Sequence, residues 1–357
     1  MTKLFEPLTI RSTTFANRAW VSPMCQYSAT NGVVGPWHLV HLGSFATGGA
    51  GLVMAEASAV SAEGRISVAC PGLWNEEQVA AWRVVTDFIR SQSTPAGIQL
   101  AHAGRKASTM RPWDDHLMAT TAEGGWEALA PSALAFAGYP TPRALSLSDI
   151  DRVVEQFADA AQRALRAGFD LVEIHAAHGY LLHEFLSPLS NERDDEYGGS
   201  LENRARLLLR AVAAVRERIG DEVALFVRIS ATDYTPGGWD IEQSVELATW
   251  LRDASVDLID VSSGGNVANA TIPLGPGYQV AFAREIRERA EILTSSVGLI
   301  TEPLQAEEIL RDGSADAVMM ARAFLRNPRW ALNAAETLDE VVPWPVQMDR
   351  ARTLRRP

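Results

Sequence analysis

Short apolar runs alternate along the chain with longer stretches in which apolar residues recur every three or four positions. The short runs are typical of buried parallel strands, and the longer stretches are typical of amphipathic helices that pack on a sheet. Eight strands are predicted near Ala19–Ser22, Leu52–Glu56, Ala96–Leu100, Leu171–His175, Ala224–Ser230, Leu258–Ser262, Leu293–Val297 and Ala317–Ala321. Eight strands with helices between them favour a (β/α)8 TIM barrel over an open, doubly wound sheet.

The intervals between these strands carry the helical pattern. Ser148 and Asp151 have capping-box spacing at the start of one helix, which Gly168 ends. Thr301 is the expected cap of a helix that begins near Pro303. The other predicted helices are Trp37–Ala50, Glu76–Ser91, Leu201–Ile219, Ile241–Asp253, Val280–Arg289 and Arg329–Leu338.

Two connections are too long to be simple turns, and we expect them to form functional loops over the C-terminal face of the barrel. They cover residues 101–147 and 263–279. The chain has no internal repeat, low-complexity tract or convincing linker. We therefore expect residues 1–357 to form a single domain with a C-terminal tail at about 343–357.

Composition narrows the possible partners. The net charge of −12 argues against a nucleic acid or an anionic membrane surface as the main partner. The amino terminus lacks the apolar core of a signal peptide, and no apolar run is long enough to predict a transmembrane helix. Two cysteines, Cys25 and Cys70, are too few for a disulfide scaffold or an iron–sulfur cluster. These features predict a cytoplasmic protein.

Polar residues concentrate where the predicted strands end, which is where TIM barrels place their active sites. The group includes Ser22 to Tyr27, Gln99, His175 to Tyr180, Arg228, Ser262 and Arg322. Imidazoles can hold a carbonyl oxygen, and a nearby phenol can supply a proton.

His175, His178 and Tyr180 also admit other interpretations. The two histidines form an HxxH pattern and not HExxH, and no third ligand stands at helical spacing, so a metal site is disfavoured. A purely structural histidine pair and a buried core tyrosine remain open.

Several motifs occur in the order found in one known family. They are Ser22-Pro-Met-Cys-Gln-Tyr27, Gln99-Leu-Ala-His-Ala-Gly-Arg-Lys106, His175-Ala-Ala-His-Gly-Tyr180, Phe185-Leu-Ser-Pro-Leu-Ser-Asn191 and Arg193-Asp-Asp-Glu-Tyr-Gly-Gly199. Over nearly the whole chain the sequence resembles the old yellow enzyme family of FMN-dependent ene-reductases. Cys25 stands where many members have Thr, which resembles the bacterial NADPH dehydrogenase and xenobiotic reductase branch.

The resemblance implies a tightly bound, non-covalent FMN. Gln99 would contact its pyrimidine edge, Arg228 would lie near N1 and the C2 carbonyl, and Gly298 would lie near its phosphate. Ala321, before Arg322, stands where relatives commonly have Gly, so we expect slightly altered geometry there. The implied FMN-binding residues are Ser22, Pro23, Met24, Cys25, Ala57, Gln99, Arg228, Gly298, Ala321 and Arg322.

The resemblance also implies a reaction: NADPH-driven, ping-pong reduction of the C=C bond of α,β-unsaturated carbonyl or nitro compounds. His175 and His178 would hold the substrate oxygen, and Tyr180 or water would protonate the α-carbon. Cys25 would tune the flavin and contact the substrate, and Tyr27 would complete the pocket. Arg350 would enter the site of a neighbouring subunit in a homodimer or homotetramer.

Three alternatives stay open on the sequence. The chain could be a related FMN barrel that acts on a different metabolite. It could be a non-redox phosphate-binding barrel, which would need a catalytic lysine or carboxylate at a strand end, where only Glu56 and Glu173 stand. It could also be a flavin-binding protein without catalytic activity.

Overall fold

A closed parallel barrel forms the centre of the molecule. The computed structural model describes residues 2–352. Its strands are β1 Leu8–Ile10, β2 Thr13–Phe15, β3 Ala19–Val21, β4 Leu52–Ala59, β5 Ala96–Ala101, β6 Leu129–Ala130, β7 Arg143–Ala144, β8 Leu171–Ala176, β9 Ala224–Ser230, β10 Leu258–Ser262, β11 Leu293–Ser296 and β12 Ala317–Met320. The barrel closes in the order β3, β4, β5, β8, β9, β10, β11 and β12. The predicted (β/α)8 barrel is confirmed, and each strand ends within three residues of its predicted end.

Helices connect the barrel strands and cover the outside of the sheet. They are α1 Pro36–Ala46, α2 Glu76–Ser91, α3 Leu147–Arg166, α4 Leu181–Leu186, α5 Leu201–Ile219, α6 Ile241–Asp253, α7 Val280–Ala290, α8 Pro303–Arg311, α9 Arg322–Arg326 and α10 Trp330–Thr337. The sequence did not predict α4 and α9, because helices of six and five residues are too short to show a helical period. Both short helices directly follow barrel strands that end at the site.

Two predicted helix caps were wrong. Helix α3 is capped by Ser146, whose side chain accepts a hydrogen bond from Asp149 N, and not by Ser148. Both serines have an aspartate three residues later, so the sequence spacing alone could not distinguish them. Helix α8 has Glu302 at its N-cap, without a side-chain cap bond, and not Thr301.

The barrel interior is apolar at the amino ends of the strands. The hairpin of β1 and β2 closes this end, and its Phe15 ring lies 4.6 Å from the Trp20 ring. Trp20 in turn stacks on Phe226 at 5.9 Å. These rings pack with Met54 and Met319 in one buried cluster that is separate from the core between the barrel and its helices. The sequence did not predict this hairpin.

Along three neighbouring strands, β8, β9 and β10, the inward-facing positions change from apolar to charged or polar. Alternate residues of a strand point to the same side of the sheet, so each of these strands contributes a series of side chains to the barrel interior. On β9 the series is Ala224, Phe226 and Arg228, and on the neighbouring strands it is Leu171, Glu173 and His175, and Leu258, Asp260 and Ser262. The apolar layer therefore supports a charged layer, and the charged layer supports the polar groups at the carboxyl ends.

The two long loops meet beside the carboxyl end of β8. Lys106 from the first loop donates hydrogen bonds to the carbonyl oxygens of His178 and of Gly265, which lies in the second. The segment 342–347 lies instead with residues that precede β3, β4 and β5, at the amino end of the barrel. Within residues 2–352, no helix is long and apolar enough to cross a membrane.

We expect the substitution Phe226→Ala to destabilise the barrel by about 3–5 kcal/mol, because it opens a cavity in the closely packed aromatic layer. Urea unfolding in the presence of excess FMN measures this loss. Phe88→Ala is the matched control: Phe88 is 37% exposed on α2, and its removal should cost less than about 1 kcal/mol. Equal losses in the two variants would show that the aromatic layer is not a main source of stability.

Candidate active site

The loop that follows β3 is fixed at both ends. Ser22 N donates to the carbonyl oxygen of Met320 on β12, and Ser22 Oγ accepts from Arg228 Nη1 at 3.1 Å. At the other end, Gln26 N donates to the buried carboxylate of Glu56 at 2.8 Å. Between them lie Pro23, Met24 and Cys25, which are partly buried. The backbone of this loop is therefore held by strands on both sides.

The structure brings His175, His178 and Tyr180 together. The His175 ring lies 5.1 Å from the His178 ring and 5.1 Å from the Tyr180 ring, edge-on to both. Ala177 N donates to His175 Nδ1, which leaves the proton of this imidazole on Nε2. His175 Nε2 lies 3.4 Å from His178 Nδ1, and His178 Nε2 lies 2.7 Å from Ser262 Oγ. The roles in the last two contacts depend on the His178 tautomer.

The site keeps these groups in defined protonation states. Burial, reinforced by the nearby Arg228 guanidinium, holds the pKa of His175 and His178 well below the usual value for histidine. Burial also raises the pKa of Tyr180 well above the usual value for tyrosine. Near neutral pH the two imidazoles are therefore uncharged hydrogen-bond donors, and the phenol retains the proton that it can give away.

Lys106 belongs to the same cluster, although no firm role could be predicted for it from the sequence. Its ammonium lies 4.9 Å from the Tyr180 ring and 4.8 Å from the Phe136 ring, and it donates to the two carbonyls named above. Burial lowers the pKa of Lys106 to about 8. This cation fixes the backbone of His178 against Gly265 and sits over the face of the phenol.

A layer of buried charge lies beneath the histidines. Arg228 Nε is 3.1 Å from Asp260 Oδ2, and Asp260 Oδ1 accepts from Ser295 Oγ. Gln99 Nε2 donates to Glu173 Oε1 at 2.8 Å. Burial and the neighbouring Asp260 raise the pKa of Glu173 to about 8, so this carboxyl is mostly protonated at neutral pH. Asp260 then supplies the countercharge for the guanidinium.

A cavity of about 170 Å³ opens from this layer toward β11 and β12. Arg228, Arg322 and Arg326 line it. Arg326 was not predicted from the sequence, although it follows Arg322 by four positions, a spacing that places both on one helix face. Gly298 has φ +122°, and an added Cβ would lie 2.9 Å from Gln279 Nε2. Only glycine suits the backbone at this position.

Ala321 does not need the conformational freedom of glycine. Its φ is −102°, which is within the range of ordinary residues, so alanine at this position causes no left-handed strain. The altered geometry that the sequence predicted here is therefore not required by the backbone. Ala321 lines the cavity together with Arg322.

Cys25 and Tyr27 lie on the Tyr180 side of the site. Both pack with Tyr180 against a small apolar cluster that contains Ala57 and Cys70. A hydrogen bond with the Cys70 thiol and burial raise the pKa of Cys25 well above the usual value, so this thiol stays protonated. Ala57 lies within β4 and not after it, because β4 continues past an irregularity between Ala55 and Ser58.

Arg350 does not join the site of its own chain. It is exposed in a short 3-10 helix, Val346–Ala351, that follows the segment at the amino end of the barrel. The sequence-predicted residues thus divide into two groups. Those on strand ends converge on the carboxyl face, and Arg350 is displaced from them to the opposite end.

The residues present fit FMN. Three guanidinium groups line the cavity, and such groups suit a phosphate dianion and an electron-rich pyrimidine ring. The close approach at Gly298 leaves room for backbone contact, and the partly buried residues 22–27 supply apolar surface. Among residues 2–352, no group of three or more His, Cys, Asp or Glu side chains converges to hold a metal ion.

Comparison with known proteins gives one consistent result. Residues 3–340 match the family described as NADH:flavin oxidoreductase / NADH oxidase. The NADPH dehydrogenase of Bacillus velezensis is 47% identical over 352 residues, which cover 98% of this chain and 99% of that protein.

Solved structures also resemble this barrel. Morphinone reductase in complex with tetrahydroNAD has a TM-score of 0.78 and 31% identity, and the match covers 96% of this chain and 92% of that one. 2-Naphthoyl-CoA reductase has a TM-score of 0.86 and 25% identity. The match covers 94% of this chain but only 52% of the reductase, so this chain spans about half of that larger protein.

The substitution Glu173→Gln should change how stability depends on pH. The folded-state pKa of Glu173, about 8, is above its ordinary value of about 4.5, so the folded state binds the extra proton between these limits. The stabilisation from this proton is complete below about pH 4.5 and is lost as the pH rises toward 8. The amide cannot ionise, and its oxygen still accepts from Gln99.

Urea unfolding with excess FMN between pH 5 and 8 measures this effect. The unfolding free energy of the variant, relative to that of the wild type, should rise by about 1 kcal/mol for each pH unit. A difference in unfolding free energy that does not vary with pH would mean that Glu173 is ionised in the folded protein.

Proposed function

Because this chain belongs to the NADH:flavin oxidoreductase / NADH oxidase family, the old yellow enzyme group of FMN- and NADPH-dependent oxidoreductases, we propose that it is an ene-reductase. Its substrates would be α,β-unsaturated carbonyl or nitro compounds, reduced at the C=C bond. The observation that carries this proposal is the contact of the His175 ring with the rings of His178 and Tyr180 at the carboxyl end of β8, each at 5.1 Å.

A bound FMN would supply the hydride-transfer chemistry between NADPH and the β-carbon of the alkene. We assign the phosphate end to Gly298, Ala321 and Arg322, with Arg326 as an additional cation. We assign the pyrimidine end to Gln99 and Arg228. The remaining contacts to the ring come from Ser22, Pro23, Met24, Cys25 and Ala57.

The charged layer explains why Arg228 suits the position proposed for it beside the pyrimidine ring of FMN. Asp260 neutralises one side of the guanidinium, and Ser22 accepts from another nitrogen. Glu173, when protonated, adds no second negative charge. Arg228 therefore retains a net attraction for negative charge that builds up on a neighbouring ring. Gln99, fixed by Glu173, is held in one orientation for hydrogen bonding.

His175 and His178 are assigned to hold the substrate oxygen. The His175 proton is on Nε2. If Ser262 donates to His178 Nε2, the His178 proton is on Nδ1, and the two N–H groups converge from atoms 3.4 Å apart. Two converging donors match the two lone pairs of a single carbonyl or nitro oxygen, and they stabilise the negative charge that develops on it.

Tyr180 is assigned to protonate the α-carbon, with water as the alternative source. The phenol is next to His175, and its proton is retained at neutral pH. The neutral imidazoles cannot serve as acids of comparable strength, because neither carries a second proton. Tyr27 and Cys25 would close the pocket on the side of Tyr180.

The same pocket would receive NADPH and the alkene in turn, which gives ping-pong kinetics. We propose that one barrel domain supplies this pocket, and that Arg350 can complete it only from a neighbouring subunit. The exposed position of Arg350 at the opposite end of its own barrel supports that assignment.

The substitution His178→Ala should separate the two half-reactions. Rapid-mixing kinetics with NADPH should show flavin reduction within a few-fold of wild type. Reoxidation by cyclohexenone should slow by about 10²- to 10³-fold, because one of the two oxygen donors is lost.

His116→Ala is the matched control, since His116 is an exposed histidine of the insertion loop that pairs with Glu123. It should leave both half-reactions unchanged. Equal losses in the two half-reactions of His178→Ala would contradict the assignment of the imidazole to the substrate oxygen.

A further inference from the structure

The turn that carries His178 has a backbone that must be held in place. His178 has φ +60° and Gly179 has φ +70°, so two successive residues are left-handed. A non-glycine residue in this region costs energy, and it persists only when its surroundings fix it. Gly179 also approaches Gly265 closely, because a Cβ at this position would lie 2.4 Å from Gly265 O. The orientation of the His178 imidazole therefore depends on what fixes this turn.

One of the fixing groups is a buried histidine on α4. Gly179 N donates to His183 Nδ1 at 2.9 Å. An imidazole nitrogen that accepts a hydrogen bond carries no proton, so the proton of His183 must be on Nε2. His183 Nε2 lies 3.1 Å from Asp233 Oδ1, and both side chains are fully buried. Neither atom has an aligned hydrogen bond to any other group in the described part of the chain, so each is the close polar neighbour that the other has at this point.

The other carboxylate oxygen of Asp233 accepts hydrogen bonds as well. Asp233 Oδ2 accepts from Ser187 Oγ at 2.5 Å and from Trp239 N at 3.0 Å, and Asn266 Nδ2 is 3.4 Å away. Burial disfavours the charge, but the donors from His183, Ser187 and Trp239 outweigh it and hold the pKa of Asp233 at about 2. Both oxygens of Asp233 thus act as acceptors, and only a carboxylate offers two.

We propose that Asp233 and His183 are positioning residues that orient the substrate-binding His178. Asp233 fixes the tautomer of His183, His183 fixes the Gly179 amide, and this amide fixes the left-handed turn. The inference rests on the proposed function, because it assigns the pair to the oxygen-binding step. Neither residue touches the substrate or the cofactor in this account.

The substitution Asp233→Asn tests the tautomer argument. An asparagine has one acceptor oxygen and one NH2 group. If its oxygen faces His183, the NH2 group meets the Trp239 N–H; if the oxygen faces Trp239, the NH2 group meets the His183 N–H. One donor is left unpaired in either orientation. Asp170→Asn is the matched control, since Asp170 accepts from Ala96 N at the amino end of the barrel.

The readout is the affinity for 4-hydroxybenzaldehyde, measured on the FMN-loaded enzyme through the charge-transfer absorption of the complex. Asp233→Asn should weaken binding about 10- to 100-fold, while the rate of flavin reduction by NADPH stays within a few-fold of wild type. Asp170→Asn should leave both unchanged. An unchanged affinity of Asp233→Asn for 4-hydroxybenzaldehyde would overturn the inference.

A second pair of variants keeps the test valid if Asp233→Asn does not fold. His183→Asn retains an acceptor oxygen near the position of Nδ1, whereas His183→Leu retains similar volume without an acceptor. Both lose the contact with Asp233. The asparagine variant should bind 4-hydroxybenzaldehyde at least about 10-fold more tightly than the leucine variant. Equal affinities would also overturn the inference.

The ¹⁵N spectrum of labelled histidine adds a direct check. His183 of the wild type should be the neutral Nε2–H tautomer, and Asp233→Asn should change this signal. A spectrum unchanged by the substitution would contradict the tautomer argument. A wild-type enzyme that does not bind 4-hydroxybenzaldehyde and is not reoxidised by cyclohexenone would instead refute the proposed function. Failure of the inference and failure of the proposed function are therefore distinguishable.

Discussion

The burial of one guanidinium determines the organisation of this site. Arg228 is only 5% exposed inside the barrel, and a buried charge must be compensated. Asp260 supplies the opposite charge at 3.1 Å, and Ser22 ties the cation to the loop after β3. The apolar layer of Phe15, Trp20 and Phe226 beneath it excludes water from the closed end of the barrel. The polar groups at the open end rest on this arrangement.

The same charge has effects over a wider region. Burial and this charge together hold the pKa of His175 and His178 well below the usual value for histidine, so that each neutral imidazole has one N–H to donate. Burial and the neighbouring Asp260 raise the pKa of Glu173 to about 8 against the opposing effect of the guanidinium, so Glu173 takes up a proton. Around this layer, the partly buried Lys106 and the buried His183 fix backbone amides and carbonyls of the loops. The loops thereby obtain the rigidity that precise hydrogen bonding to a substrate requires.

Much of this architecture could be predicted from sequence, because period and composition are local signals. The eight barrel strands show as apolar runs, and polar residues at their ends indicate the carboxyl face. Short elements were missed: α4, α9 and the hairpin of β1 and β2 are too brief to show a period. The pairing of Cys25 with Cys70, and of His183 with Asp233, depends on tertiary contacts between distant segments. The spacing of two serines could not decide which one caps α3.

The proposed function requires that this barrel use FMN to move a hydride from NADPH to an activated alkene. The decisive experiment is an anaerobic titration of the purified protein, followed by visible absorption. We expect a flavin spectrum that one equivalent of NADPH bleaches and that cyclohexenone restores, with saturated ketone formed in equal amount. A flavin that bleaches but stays reduced after cyclohexenone is added would contradict the proposed substrate class and the role given to His175 and His178.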